Sequence, residues 1–184
     1  MTALTNQIKA GEKSTILSVD AMGGDLGPAA VVAGLAEAAS QNSDLGFILH
    51  GECDQLMSLV SQSAVLTGRC EIRDAKGVVS MSDKPSQVMR TGRDTSMWSA
   101  LESVRNGEAS GCISCGNTGA LMALGMIRLR KLPGVKRPAI AVLWPSRNIQ
   151  GYNVMLDVGA DIRADEEDLM QYAVMGACYA RNGL

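Results

Sequence analysis

Three short glycine-rich stretches carry the groups best suited to chemistry. They are Asp20-Ala21-Met22-Gly23-Gly24-Asp25-Leu26-Gly27-Pro28, Ser114-Cys115-Gly116-Asn117-Thr118-Gly119 and Asp157-Val158-Gly159-Ala160-Asp161. Each follows a short apolar run and precedes a helix-forming one, so each reads as a strand-to-helix turn. Glycine lets backbone N–H groups approach a ligand closely, and a helix N-terminus favours an anion. One such turn is more often plain geometry. Three on one edge of one sheet favour an anionic ligand. The acids Asp20, Asp25, Asp157 and Asp161 would repel a bare phosphate. Either Asp25 and Asp161 brace their turns through local backbone N–H groups, or cations stand nearby. Lys84, Arg90 and Arg93, in Ser82-Asp83-Lys84-Pro85-Ser86-Gln87-Val88-Met89-Arg90-Thr91-Gly92-Arg93, are the candidates. Arg would hold phosphate bidentately and Lys as a point charge. Solvated surface remains an equal reading for all three.

Other chemistry has weaker support. His50 is the sole histidine and follows Phe47-Ile48-Leu49, so it reads as a strand-end residue able to act as an acid or base. Cys112-Ile113-Ser114-Cys115 is a lone CxxC. In a strand its two thiols face opposite sides, and no second Cys/His pair is near, so it reads as structural. The sequence holds no GxSxG, no GxxxxGK[ST] and no HExxH. Gly23-Gly24-Asp25-Leu26-Gly27 does not spell GxGxxG, which leaves a dinucleotide site poorly supported.

The elements that must position these turns alternate along the chain. Strands are expected at 16–19, 47–49, 70–73, 111–114, 139–144 and 153–157. Helices are expected at 29–39, 54–60 (with Asp54 as N-cap), 98–105, 118–129 and from 165 to about 180. Pro28 suits a first helical turn. Strands alternating with helices predict a doubly wound α/β sheet, mostly parallel. Residues 1–13 read as a flexible leader and 14–184 as one α/β domain. Residues 74–97 form an irregular excursion, a candidate functional segment. Ala109 to Ile127 is free of charge, but its polar middle reads as strand, turn and helix rather than a membrane span.

Composition narrows the classes further. Glycine supplies 20 of 184 residues, above the usual share of about 7%. The net charge is −2, so no basic excess drives binding to a nucleic-acid backbone. Two Trp, three Tyr and one Phe are too few for an aromatic-anchored interface or base stacking. The local cluster Arg128, Arg130, Lys131, Lys136 and Arg137 reads as helix end and loop surface. Five unpatterned cysteines and the lack of a signal-peptide core fit a reducing cytoplasm.

Taken in order, Asp20-Ala21-Met22-Gly23-Gly24-Asp25 with Gly27-Pro28, Ser82-Asp83-Lys84-Pro85-Ser86 with Arg90, Gly116-Asn117-Thr118-Gly119-Ala120-Leu121-Met122, Arg137-Pro138-Ala139 and Asp157-Val158-Gly159-Ala160 closely resemble the PlsX family. These are bacterial acyl-acyl-carrier-protein:phosphate acyltransferases of phospholipid synthesis, and the resemblance runs from about Ile16 to the end of the chain. It implies a three-layer α/β/α fold similar to isocitrate and isopropylmalate dehydrogenases and to phosphotransacetylases. The implied reaction converts an acyl-carrier-protein thioester and inorganic phosphate to acyl phosphate and free carrier. The resemblance also implies a cytoplasmic homodimer, peripheral association with the inner face of the membrane, and no metal or organic cofactor.

Phosphate is itself the nucleophile in such a reaction, so no activated Ser or Cys is required. Enzyme groups need only orient the reactants and stabilise an oxyanion. The N–H groups of Gly116 to Gly119 and the Asn117 amide are the candidates for that work, with Lys84 and Arg90 the candidates to hold phosphate. Asp20, Gly23, Gly24, Asp25, Gly116, Thr118, Gly119, Asp157, Gly159 and Asp161 complete the expected phosphate-binding set, the acids shaping loops rather than transferring protons. Asp161 stands where many members carry Asn. Members also run to nearly twice this length, so the chain reads as an N-terminal part whose sheet is unfinished after a final helix closing at Asn182-Gly183. A non-catalytic phosphate-binding fragment, an acyl-CoA-using phosphotransacetylase and, from the fold alone, a dinucleotide-dependent dehydrogenase are the competing readings.

Overall fold

A computed structural model of the chain describes residues 15–158 and 164–182. The leader 1–13, Gly159, Asp161 and Gly183 lie outside the described residues. The chain divides into two compact units between Arg130 and Lys131.

The first unit runs β1 (Thr15–Asp20), α1 (Gly27–Gln41), β2 (Leu45–Gly51), α2 (Cys53–Ser61), β3 (Cys70–Asp74), α3 (Pro85–Thr91), α4 (Ser96–Arg105), β4 (Gly111–Ser114) and α5 (Thr118–Arg128). Its four strands are all parallel, in the order β3-β2-β1-β4. The chain thus builds outward from β1 to β3 and then returns to the far side of β1. The strand order reverses between β1 and β4.

The register sorts the side chains by face. Leu17 and Val19 stand beside Phe47 and Leu49, which stand beside Cys70 and Ile72. This apolar face packs with Val32, Leu35 and Ala39 of α1 and Leu56 of α2. Side chains alternate in a strand, so Ser18, Asp20, His50, Arg73 and Ser114 fall on the opposite face. That face receives α4. Helices on both faces of a mostly parallel sheet give the expected α/β layers.

Helix starts follow local chemistry. Pro28 lies in the first turn of α1. The N-cap of α2 is Glu52 rather than Asp54, because the Glu52 carboxylate accepts from the N–H groups of Asp54 and Gln55. Thr95 caps α4 by accepting from Trp98 N–H. The stretch 74–97, without regular elements in the sequence reading, contains α3, a 3-10 turn at Gly92–Asp94 and a bridge between Gly77 and Thr95. Val79, Val88, Met97, Leu101, Ala120 and Leu124 form a second apolar cluster among its neighbours.

The second unit comprises β5 (Ala141–Pro145), β6 (Tyr152–Leu156) and α6 (Glu166–Asn182). β5 and β6 pair antiparallel in a sheet of their own, which corrects the expectation of three turns on one parallel edge. α6 begins with a reciprocal pair: Asp168 N–H donates to Asp165 Oδ1 at 2.8 Å and Asp165 N–H to Asp168 Oδ2 at 3.3 Å. Part of the basic cluster is paired here, Lys136 with Glu167 and Arg137 with Asp168. In the first unit, Arg128 pairs with Glu102 and lies 4.5 Å over the Trp98 ring. Among the described residues, no helix is long and apolar enough to cross a membrane.

Candidate functional site

Two of the three glycine turns meet because β1 and β4 are neighbours. Ligands of open α/β sheets sit beyond the carboxyl ends of the strands, where strand order reverses, and both turns emerge there. The link between them is Asp20, the last residue of β1 and only 1% exposed. Its Oδ1 accepts from Ser96 Oγ at 2.6 Å and its Oδ2 from Ser114 Oγ at 2.7 Å. Ser114 Oγ in turn accepts from Gly116 N–H at 3.1 Å. One buried carboxylate therefore ties β1, β4 and α4 together.

The glycines serve this junction before they serve any ligand. A Cβ on Gly23 would stand 2.6 Å from Asp20 Oδ2 and 3.0 Å from Gly116 N. Gly24 has φ +101° and faces the Cys115 carbonyl oxygen, 2.9 Å from its would-be Cβ. Gly119 lets α3 close on α5, since its Cβ would stand 2.9 Å from Pro85 Cγ. That contact sets Lys84, the residue before Pro85, at the start of α5.

Asn117 is buried and fully engaged. Its Oδ1 caps α5 by accepting from Ala120 N–H at 3.0 Å. Its Nδ2 donates to the carbonyls of Ser80, Met81 and Asp83 at 3.2, 3.1 and 2.9 Å. The amide thus holds loop 80–83 against α5, and its donors are not free to meet an oxyanion. The groups that do remain open are the Thr118 and Gly119 N–H groups, which a helix start leaves without intrahelical partners. Lys84 and Arg90 are exposed and without an ion-pair partner among the described residues. Arg90 sits in the last turn of α3, about 9 Å along the helix from Lys84 at 1.5 Å per residue, so the two cations are not brought to one point. Asp25 is exposed with no side-chain hydrogen bond in the described residues. Asp157 directly follows β6 in the second unit with φ +59°, its N–H donating to Ile140 O at 2.7 Å.

The sequence reading missed a buried polar network. His50 is fully buried; its Nε2 lies 3.0 Å from Ser18 Oγ and 3.3 Å from Ser103 Oγ, and its Nδ1 lies 2.8 Å from Ser99 Oγ. Arg73 donates to Ser103 Oγ at 2.9 Å and pairs with Glu71 and Glu108. Burial, helped by the nearby Arg73 charge and opposed by Glu108, lowers the His50 pKa to about 4. His50 is therefore neutral at pH 7 and a poor base. The signal was the spacing Ser96, Ser99, Ser103, which puts three hydroxyls on one helical face. Of the CxxC pair, burial pushes the Cys112 thiol up to about 12, while Cys115 is exposed. Among the described residues, no cluster of His, Cys, Asp or Glu is placed to hold a metal ion.

Residues 15–184 match the family model described as fatty acid synthesis protein. The chain is 67% identical over its whole length to a protein named phosphate acyltransferase from Ruegeria sp. (strain TM1040), covering 49% of that protein. It is 69% identical over 91% of its length to the phosphate acyltransferase of Paracoccus denitrificans (strain Pd 1222), covering 45% of it. A third protein of that name, from Cereibacter sphaeroides (strain ATCC 17025 / ATH 2.4.3), is 67% identical over 95% of this chain and 47% of its own. The chain spans about half the length of the curated relatives it matches. With the family model covering all but the first 14 residues, the chain belongs to the fatty acid synthesis protein family.

Proposed function

We propose that this protein acts in moving a fatty acyl group from acyl carrier protein to inorganic phosphate, yielding acyl phosphate for phospholipid synthesis. The reading is supported by its family and by relatives named phosphate acyltransferase. The observation that carries it is the meeting of two glycine turns where strand order reverses, with Lys84 set beside the start of α5.

A phosphate oxygen attacks the thioester carbonyl carbon, so a C–O bond forms and the carbonyl becomes a tetrahedral oxyanion. Its collapse breaks the C–S bond, and the carrier thiolate leaves with the electron pair and takes a proton from solvent. Thr118 and Gly119 N–H groups at the positive end of α5 stabilise the anionic reactant or oxyanion. Lys84 adds a cation. Asn117 acts by positioning, holding loop 80–83 so that Lys84 stays at the α5 start. Asp20 fixes the two turns relative to each other. Arg90, Asp25, Gly23, Gly24 and Gly116 complete the surroundings. The resemblance further supports a cytoplasmic homodimer, peripheral at the inner face of the membrane.

Hydroxylamine traps acyl phosphate as a hydroxamate. Incubating the chain and the full-length Ruegeria relative with acyl-carrier-protein thioester should give hydroxamate only when phosphate is added. Thioester loss indifferent to phosphate in both proteins would overturn the proposal.

A further inference from the structure

A second concavity lies away from the glycine turns, beyond the carboxyl ends of β2 and β3. It is a cleft of about 450 Å³ lined by Asp74, Lys76, Arg93, Asp94, Thr95 and Ser99, with Ala75 between them. That volume falls within the usual range of small-ligand sites, roughly 300–1,000 Å³. Its rim carries two cations, Lys76 and Arg93, neither with an ion-pair partner among the described residues.

Its interior oxygen has a fixed polarity. Ser18 Oγ gives its proton to the Ala100 carbonyl at 2.8 Å, so toward His50 it can only accept. His50 Nε2 must therefore carry the ring proton. The neutral ring then has a bare Nδ1, which accepts the Ser99 hydroxyl proton at 2.8 Å. Ser99 Oγ is left with lone pairs only for the cleft. Asp74 and Asp94 add further acceptors.

We infer that this cleft binds a phosphate ester that also carries N–H and O–H donors, namely the phosphopantetheine arm of an acyl carrier. Its phosphodiester meets Lys76 and Arg93, and its amide or hydroxyl donors meet Ser99 Oγ and the two carboxylates. Bare inorganic phosphate fits poorly, because the interior offers it acceptors. The cleft is thus distinct in chemistry from the glycine-turn junction. The first turn of α4 joins them, since Ser96 holds Asp20 and Ser99 lines the cleft. This inference rests on the acyltransferase reading for the identity of its ligand.

The test is calorimetric titration of the 184-residue chain with 4′-phosphopantetheine, with pantetheine and with inorganic phosphate. Binding of 4′-phosphopantetheine is expected, weaker by about fivefold for pantetheine and in each of Lys76→Ala and Arg93→Ala, as for loss of one exposed charge contact. These exposed positions can be changed without touching the core. Ser99→Ala should also weaken 4′-phosphopantetheine, and circular dichroism on that variant separates lost contact from lost fold. No binding, or equal affinity in wild type and both cation variants, would overturn the inference. Hydroxamate formation on the same samples separates the two proposals. Binding without phosphate-dependent hydroxamate defeats only the acyltransferase reading, and hydroxamate with unaltered affinity in the cation variants defeats only the cleft.

Discussion

The two faces of the four-stranded sheet solve opposite problems with the same strands. Toward α1 and α2, Val19, Phe47, Leu49 and Leu56 are fully buried and apolar. Toward α4, Ser18, Asp20, His50, Ser96 and Ser103 are just as buried and polar. The first face stabilises by removing apolar area from water. The second stabilises only while every buried polar group keeps its partner. That difference explains why the candidate chemistry gathers on one side. A polar buried face can deliver a carboxylate, two hydroxyls and a neutral imidazole to the sheet's carboxyl edge in fixed orientations. The apolar face anchors the strands that carry them.

Substitutions test the contrast, and the largest effect belongs to the apolar side. Phe47→Ala should lower unfolding free energy by about 3–5 kcal/mol in denaturant melts, with no dependence on pH. An effect under 1 kcal/mol would mean that this face is not the main anchor.

The polar face should instead show its cost in acid. His50 has a folded pKa of about 4, below its ordinary 6.5. The unfolded chain therefore binds a proton that the folded one does not. Stability from the neutral ring is complete above about pH 6.5 and is lost as pH falls toward 4 and below, by up to roughly 3 kcal/mol. Melts of wild type and His50→Gln across this window should diverge in slope, the variant losing less. Parallel slopes would remove His50 from the balance.

A smaller loss is expected from Asp20→Ala, which leaves the Ser96 and Ser114 hydroxyls without their acceptor. The cost should be roughly 2 kcal/mol, together with loss of the proposed hydroxamate formation. Smallest in stability is Asn117→Asp, at about 1 kcal/mol, because the released carbonyls of the largely exposed loop 80–83 can turn to water. It keeps the α5 cap but replaces the donor that holds three carbonyls. Limited proteolysis should then cut at 80–83 while helicity is retained; unchanged cleavage would argue against the clamp.

Much of this layout is legible in the sequence. The alternation of apolar runs with helix formers indicates parallel strands, and Leu17 and Val19 against Ser18 and Asp20 already separate two faces. The direction of β5 and β6 escapes a reading by hydrophobicity alone, because short apolar runs carry no polarity. The six residues between Pro145 and Tyr152 are nonetheless too few for a parallel crossover. Gly151, with φ +81°, closes that hairpin, where Ser146 N–H meets its carbonyl at 2.8 Å. The roles of Asn117 and His50 were not legible, since their partners lie 34 to 37 and 32 to 53 residues away. Only the serine spacing in α4 hinted that a helix face was built to meet something polar.

On the proposed function, the polar face delivers an anion site where the two glycine turns meet. Backbone amide shifts in a phosphate titration of the 15N-labelled chain test it directly. Saturable shifts at Thr118 and Gly119, with Gly23 and Gly24 following, are expected, and they should weaken in Lys84→Ala. Shifts confined to other surfaces, or none at these four glycine-turn amides, would contradict it.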